Sequence, residues 1–219
     1  MKKIVWVLLP LFFLSCAKKE VKLPTLPEKG IQEMQNHSQV WLFFEMKDKD
    51  TVAIVNSKNT ISTTHWIFNI DKRLPLKTIM PSIIKLQNTH ANSLHSEEGM
   101  HNYFSYADTV SKKLSFLEFD DVNFILSKNI IEVENSSYNN INLIFNQNNI
   151  FINGLKTEKS NFKNELLALS AIASEGNQLM LQLYFSQNLL YQDYLFYRTT
   201  IHALGNENIL INKNEFIFK

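Results

Sequence analysis

The sequence predicts an α+β protein, with mixed or antiparallel sheets and helices packed on one face. Three observations lead there. Short runs rich in Val, Ile, Phe, Tyr and Trp recur between Asn-, Asp- and Ser-containing turns. Between them lie stretches whose apolar residues keep the 3.6-residue rhythm of a helix buried along one side. A hydrophobic fraction of 45% and a charged fraction of 20% over 219 residues supply a real core and exclude wholesale disorder.

The elements follow in order. "QVWLFFEM" and "TVAIV" flank the charged turn "KDKD" and read as a hairpin, and "HWIFNID" reads as a third strand. Leu76, Ile79, Met80, Ile83 and Ile84 share one helical face in a helix reaching about Asn88. Pro81 is tolerable in it if the helix begins near Lys77, where no internal N–H bond is lost. A polar loop follows to Asn102, then the strand "NYFSYAD". Asp108 reads as the cap of a short helix over Thr109–Phe119, and "VNFIL" with "IIEVE" as a further hairpin.

The second half repeats this grammar. "INLIF" and "NIFING" surround an Asn-rich turn, and Phe162, Leu166, Leu169 and Ala173 share a helical face that Gly176 ends. After the strand "LMLQLYFS", Asn188 caps a helix that Gly205 stops, and "NILIN" and "EFIF" close the chain. "IF" recurs at Ile67 and Ile150, and "YFS" at Tyr103 and Tyr184, each pair bracketing one helix with a second helix after it. Two readings stay open: two similar β-α-β-α-β lobes in tandem, or coincidence between short strings in a Phe-rich chain.

The amino terminus reads differently. Met1, Lys2 and Lys3 precede an apolar run over Ile4–Leu14, too short for the roughly 20 residues a membrane-spanning helix needs. Ser15 and then Cys16, the single cysteine of the chain, follow it. A basic start, a short apolar stretch and a small residue form the pattern of a cleaved signal. "FFLSC" resembles the lipobox of bacterial lipoproteins in the form seen in Bacteroidetes-type bacteria. The resemblance implies cleavage before Cys16, a diacylglyceryl group on its thiol and an acylated new amino terminus, enough to hold a protein on a membrane. By the same analogy Ala17 implies delivery to the outer membrane. "AKKE" lacks the acidic run of a surface-export signal, which leaves the periplasmic face.

The expected organisation is therefore a signal peptide over 1–15, a lipid-anchored tether over 16–37, an N-terminal α+β lobe over 38–136 and a C-terminal lobe over 137–219. The second lobe, from Asn142 to Phe218, resembles the periplasmic domain of the ExbD/TolR family. The motifs that carry this are Asn153-Gly154, Ser186 with Tyr191, and Gly205, and a looser copy spans Thr51–Leu126. That family's proton-coupled work needs a transmembrane helix bearing an acid, which the apolar run at Ile4–Leu14 lacks. The resemblance implies envelope binding instead, to peptidoglycan or another envelope protein, or an accessory place in such an energy-transducing system.

Candidate chemistry is sparse. His90, His95 and His101, with Glu97 and Glu98, hold good metal-ligand types but no compact ligand spacing, so they read as a solvated loop without metal. A metal-binding or enzymatic lipoprotein using that loop is the competing class. Asp108 reads as a cap, and Asp120 and Asp121 near Glu118 as a turn. No nucleophile elbow, zincin or P-loop pattern occurs, so neither catalysis nor a cofactor is expected. A formal charge of +1, from 22 basic and 21 acidic residues, offers no basic excess for nucleic acid. Tyr191, Tyr194 and Tyr197 sit in an aromatic helix that one sheet cannot bury all round. They read either as a partner contact or as core aromatics with hydroxyls at the rim.

Overall fold

The computed structural model describes residues 19–93, 99–129, 139–174, 176 and 178–219. The expected signal segment and Cys16, the residues His95, Glu97 and Glu98, and the strand expected over Ile130–Glu134 lie outside the described residues.

Among the described residues two mixed sheets of six strands carry three helices, the α+β class expected. The first sheet is built from β1 (Thr25–Leu26), β2 (His37–Lys47), β3 (Asp50–Asn56), β4 (His65–Ile70), β5 (Asn102–Asp108) and β6 (Lys113–Glu118), with α1 (Leu76–Ala91) between β4 and β5. Its order is β3-β2-β4-β5-β6, with β1 running beside the end of β5. Strands β2, β4 and β5 are parallel, and β3 and β6 are antiparallel edges. The second sheet comprises β7 (Asn123–Ser127), β8 (Asn139–Phe145), β9 (Ile150–Ile152), β10 (Leu155–Thr157), β11 (Leu179–Ser186) and β12 (Ile209–Phe218). Here α2 (Phe162–Ser174) precedes β11 and α3 (Tyr191–His202) follows it, and the order is β10-β9-β8-β11-β12-β7.

The central strands are apolar on both sides because both sides are covered. In β11, Leu181, Leu183 and Phe185 enter the main core while Tyr184 stacks on Phe216 across the sheet. The main core is continuous through both sheets and all three helices. At its centre Phe104 of β5 packs edge-on to Tyr191 and Tyr194 of α3. Phe185 and Phe145 of the second sheet meet Tyr194 and Tyr197. Helix α3 thus lies between two sheets, which is how its aromatics are buried around so much of its circumference.

The join between the halves is a backbone one. Pro75 and Leu190, the residues before α1 and α3, pair as an antiparallel bridge. Neither helix has a side-chain cap on its orphan N–H groups. Leu76 N–H donates to the Leu189 carbonyl (2.9 Å) and Tyr191 N–H to the Leu74 carbonyl (2.8 Å). One residue on, Lys77 N–H donates to the Gln187 carbonyl (2.8 Å) and Gln192 N–H to the Lys72 carbonyl (3.2 Å). Each bond has its mirror in the other half, so each helix is capped by the loop that leads into the other. Asn188 is therefore not the cap of α3; Leu190 holds that position.

Duplication at the level of topology is present, but not on the expected pairs of strings. Hairpin β2–β3 corresponds to β8–β9, and β4–α1–β5 to β11–α3–β12, with α2 standing where the first half has only the loop after β3. Among the described residues no second helix follows β5 in the first half. Thr109–Phe119, expected helical, instead turns into β6, because the free edge of β5 offers a full ladder to it. Asp108 accepts the N–H groups of Val110 and Ser111 and closes that turn. The same carboxylate geometry serves a turn and a helix start, so the sequence signal was ambiguous. Pro81 lies past the first turn of α1 and is exposed, so its missing bond to the Lys77 carbonyl falls on the solvent side.

Two expected boundaries move. Strand β7 pairs with β12, so the first sheet ends at Glu118 and the second begins at Asn123, ahead of the expected 136/137 break. The tether expected over 16–37 is fastened down from Lys22. Lys22 N–H donates to Asp71, Ala107 N–H to the Pro24 carbonyl, and the Gln192 amide clamps both the N–H and the carbonyl of Thr25. Leu26 is fully buried, and Ile31 exchanges two backbone bonds with Phe116. Local composition does not predict whether an extended chain finds a sheet to lie on.

Gly30 is where this strap passes closest to the sheet. A Cβ there would collide with the Tyr106 hydroxyl and stand 2.7 Å from the Phe116 carbonyl oxygen. Gly30→Ala is expected to destabilise the fold by about 1–3 kcal/mol, read from the midpoint of denaturant unfolding at unchanged slope. The buried tyrosines set an alkaline limit. Burial, with the charges of Asp108 and Glu28, pushes Tyr106 up to about 12 from an ordinary 10.0, and burial raises Tyr191, Tyr194 and Tyr197 as well. The folded state then holds these protons more tightly than the unfolded chain. Stability is complete below pH 10 and falls as pH climbs toward the folded values. Tyrosinate absorbance is expected to rise together with loss of fold, not ahead of it.

Candidate functional site

Parallel pairing of β4 with β5 sets Trp66 beside Asn102 and brings the preceding residues, His65 and His101, together. His101 N–H donates to His65 Nδ1 (3.0 Å), and the two rings stack at 5.8 Å. Burial and the neighbouring His101 hold the His65 pKa below the usual imidazole value. Antiparallel pairing then lays Glu118 of β6 opposite Tyr103, and the chain turns so that Asp120 folds back over the start of β5. His101 Nδ1 faces both carboxylates, at 2.8 Å from Asp120 Oδ2 and 3.2 Å from Glu118 Oε1. Three strand ends build one histidine–carboxylate cluster.

Asn102 organises it. Its backbone N–H (3.0 Å) and side-chain Nδ2 (2.5 Å) both donate to Asp120 Oδ1. That orientation leaves Asn102 Oδ1 to accept from His90 Nδ1 at 2.9 Å. His90, in the last turn of α1, stacks flat on Trp66 at 4.2 Å and is 3% exposed. With its proton on Nδ1, the His90 Nε2 is a lone pair, and it has no hydrogen-bond partner. A cavity of about 330 Å³ is lined by His90, His101, Asn102, Asp120, Gln87 and Met100.

On the other side of Asp120 and Glu118 lies an open cleft of about 700 Å³ at the meeting of the two halves. Its walls include Lys29, Tyr106, Phe116, Arg198, His202 and Lys213. Arg198 is itself buried, with Nη1 2.8 Å from Glu215 Oε1, while the Tyr194 hydroxyl donates to Glu215 Oε2 at 2.9 Å. Burial raises the Glu215 pKa, and Arg198 and Tyr194 oppose that shift. Burial and Arg198 also hold His202 low.

Measured against the sequence, Cys16 and His95 lie outside the described residues. Tyr191, Tyr194 and Tyr197 are core residues, 0%, 0% and 3% exposed, and present no surface to a partner. The first sheet, which adds Phe104 of β5 to the cover that the second sheet gives α3, is the reason. His90 belongs to a helix rather than a solvated loop, and His101 joins Glu118 and Asp120, which had read as part of a short helix and as a turn. Asp121 stays at the surface near Lys213. Sequence reasoning missed His65, whose only signal is its place one residue before a strand-start tryptophan.

Among the described residues, no helix is long and apolar enough to cross a membrane. No protein-family model matches the chain, and no curated protein or solved structure is significantly similar to it.

The buried pair under the cleft gives a clear expectation. Glu215→Gln leaves the Arg198 charge buried without its carboxylate and is expected to cost about 3–5 kcal/mol. Arg198→Met combined with Glu215→Leu should recover most of that loss in the same denaturant titration.

Proposed function

We propose that the protein is a lipid-anchored, non-catalytic component of the cell envelope, held at the periplasmic face of the outer membrane, whose two-lobed body binds another envelope protein or peptidoglycan. The observation that carries this reading is the fastening of the chain immediately behind Cys16. Five residues separate Cys16 from Lys22, where the strap is already bonded to Asp71. Fully extended, the six steps from one to the other reach at most about 22 Å, taking about 3.3–3.6 Å per residue. A body anchored through Cys16 stays close to the bilayer instead of ranging on a long tether.

The strap also connects anchor to cleft. Glu28, Lys29, Gly30 and Ile31 form one wall of the 700 Å³ cleft, and Glu28 pairs with Lys163 of α2 at 3.0 Å. A ligand in the cleft therefore touches the same segment that leads to the lipid. The mixed lining of Tyr106, Phe116, Lys29 and Lys213 suits a polar macromolecule more than an apolar small molecule. An accessory role beside an ExbD/TolR-type system is the second reading, and the order of β8, α2, β11, α3 and β12, with the short strands β9 and β10 set between β8 and α2, supports it.

The test is crosslinking in living cells, then pulldown on a carboxy-terminal tag and mass spectrometry, with Cys16→Ala and Lys213→Glu alongside and fatty-acid labelling of each. The expected result is label on the native chain, absent from Cys16→Ala, with envelope partners lost in Cys16→Ala and reduced in Lys213→Glu. An unlabelled native chain overturns the anchor. The absence of partners in every sample overturns the binding role.

A further inference from the structure

We propose that His101, Glu118 and Asp120 form a binding site for one divalent transition-metal ion of the zinc class, on the partition between the small cavity and the cleft. The donor atoms of these three residues all lie within 4.8 Å of one another. Metal bonds of about 2.0–2.2 Å to imidazole nitrogen and carboxylate oxygen fit between donors spaced so closely. A single Nδ1–H donates well to one carboxylate, yet two converge on it, at 2.8 and 3.2 Å. Among the described residues no lysine or arginine pairs with Glu118 or Asp120, and the nearby Lys213 lies against Asp121. The cluster therefore carries negative charge that its own histidine does not balance.

The surroundings are those of a prepared ligand set. Asp120 is oriented by two N–H donors from Asn102 on Oδ1, which leaves Oδ2 turned toward His101. Outer hydrogen bonds of this kind fix first ligands at metal centres. The His101 backbone N–H donates to His65 Nδ1, which fixes the strand end that carries the ring. A second observation points to a ligand independently. His90 lines the same cavity as His101 and Asp120, is 3% exposed, and its Nε2 lone pair has no partner. Buried acceptors without a donor are rare in native folds, and this one belongs to a residue that lines the cavity.

One imidazole and two carboxylates select a borderline ion. Nitrogen disfavours calcium and magnesium, and the absence of thiolate disfavours the softest ions. Asp120 lines both cavities and Glu118 lines the cleft, so an ion here keeps a face toward whatever occupies the cleft. The inference does not depend on the anchor and survives its loss.

The test is titration of the full-length chain, in detergent micelles and freed of metal by a chelator, with zinc alone by calorimetry and with cobalt alone by absorption. The expected result is one ion per chain with ligand-field bands of a low-coordinate N/O site. Glu118→Gln, at an exposed position that carries little of the fold, should weaken binding tenfold or more. His101→Gln should do the same, and Asp121→Asn should change nothing, with circular dichroism unaltered throughout. No saturable binding, or equal binding by the native chain and Glu118→Gln, overturns the site.

Discussion

The structure rests on the backbone bridge between Pro75 and Leu190. A helix start leaves N–H groups that must find acceptors, and the usual solution is a Ser, Thr, Asp or Asn side chain. Here Pro75 and Leu190 occupy the cap positions and supply none. The acceptors come from Leu189 and Gln187 for α1, and from Leu74 and Lys72 for α3. Neither half has its helix properly begun without the other, so the halves are obligate partners within one chain. The approximate two-fold relation at the bridge follows from the reciprocity of those bonds.

Once the bridge is made, much of the packing follows. It brings α3 against β5 as well as β11, and Phe104 meets tyrosines that one sheet alone would leave half exposed. The core then runs unbroken from Leu42 in the first sheet to Phe145 in the second. The same closure puts Arg198 and Glu215 out of water, where each is tolerable only because the other is there. The strap over 22–31 locks the arrangement from outside, bonding to β5, to Asp71 of the first half and to Gln192 of the second.

The cluster at His101 and the cleft are consequences of where strands end. Parallel strands β4 and β5 begin side by side, which joins two histidines far apart in the chain. Strand β6 returns antiparallel and delivers two carboxylates to the same place. The cleft forms where the first half's last turn, the strap and α3 leave space between them. The strap residues Glu28, Lys29, Gly30 and Ile31 line the same cleft as Glu118 and Asp120.

What the sequence by itself determined is local. Period-two and 3.6-residue patterns placed the β2–β3 hairpin, α1, α2 and α3 closely, since these depend on residues a few positions apart. The lipobox resemblance at Cys16 is equally local, a string read directly. Tertiary structure alone decided that Tyr191, Tyr194 and Tyr197 are core and that the proline-rich segment is a strap. Both depend on a second surface arriving from elsewhere. It alone decided, too, that Thr109–Phe119 is strand, because an open edge of β5 outweighed a helix-like start. The convergence of His101, Glu118 and Asp120 lay beyond sequence reading for the same reason. Strand register is a property of pairs, and no single stretch of chain carries it.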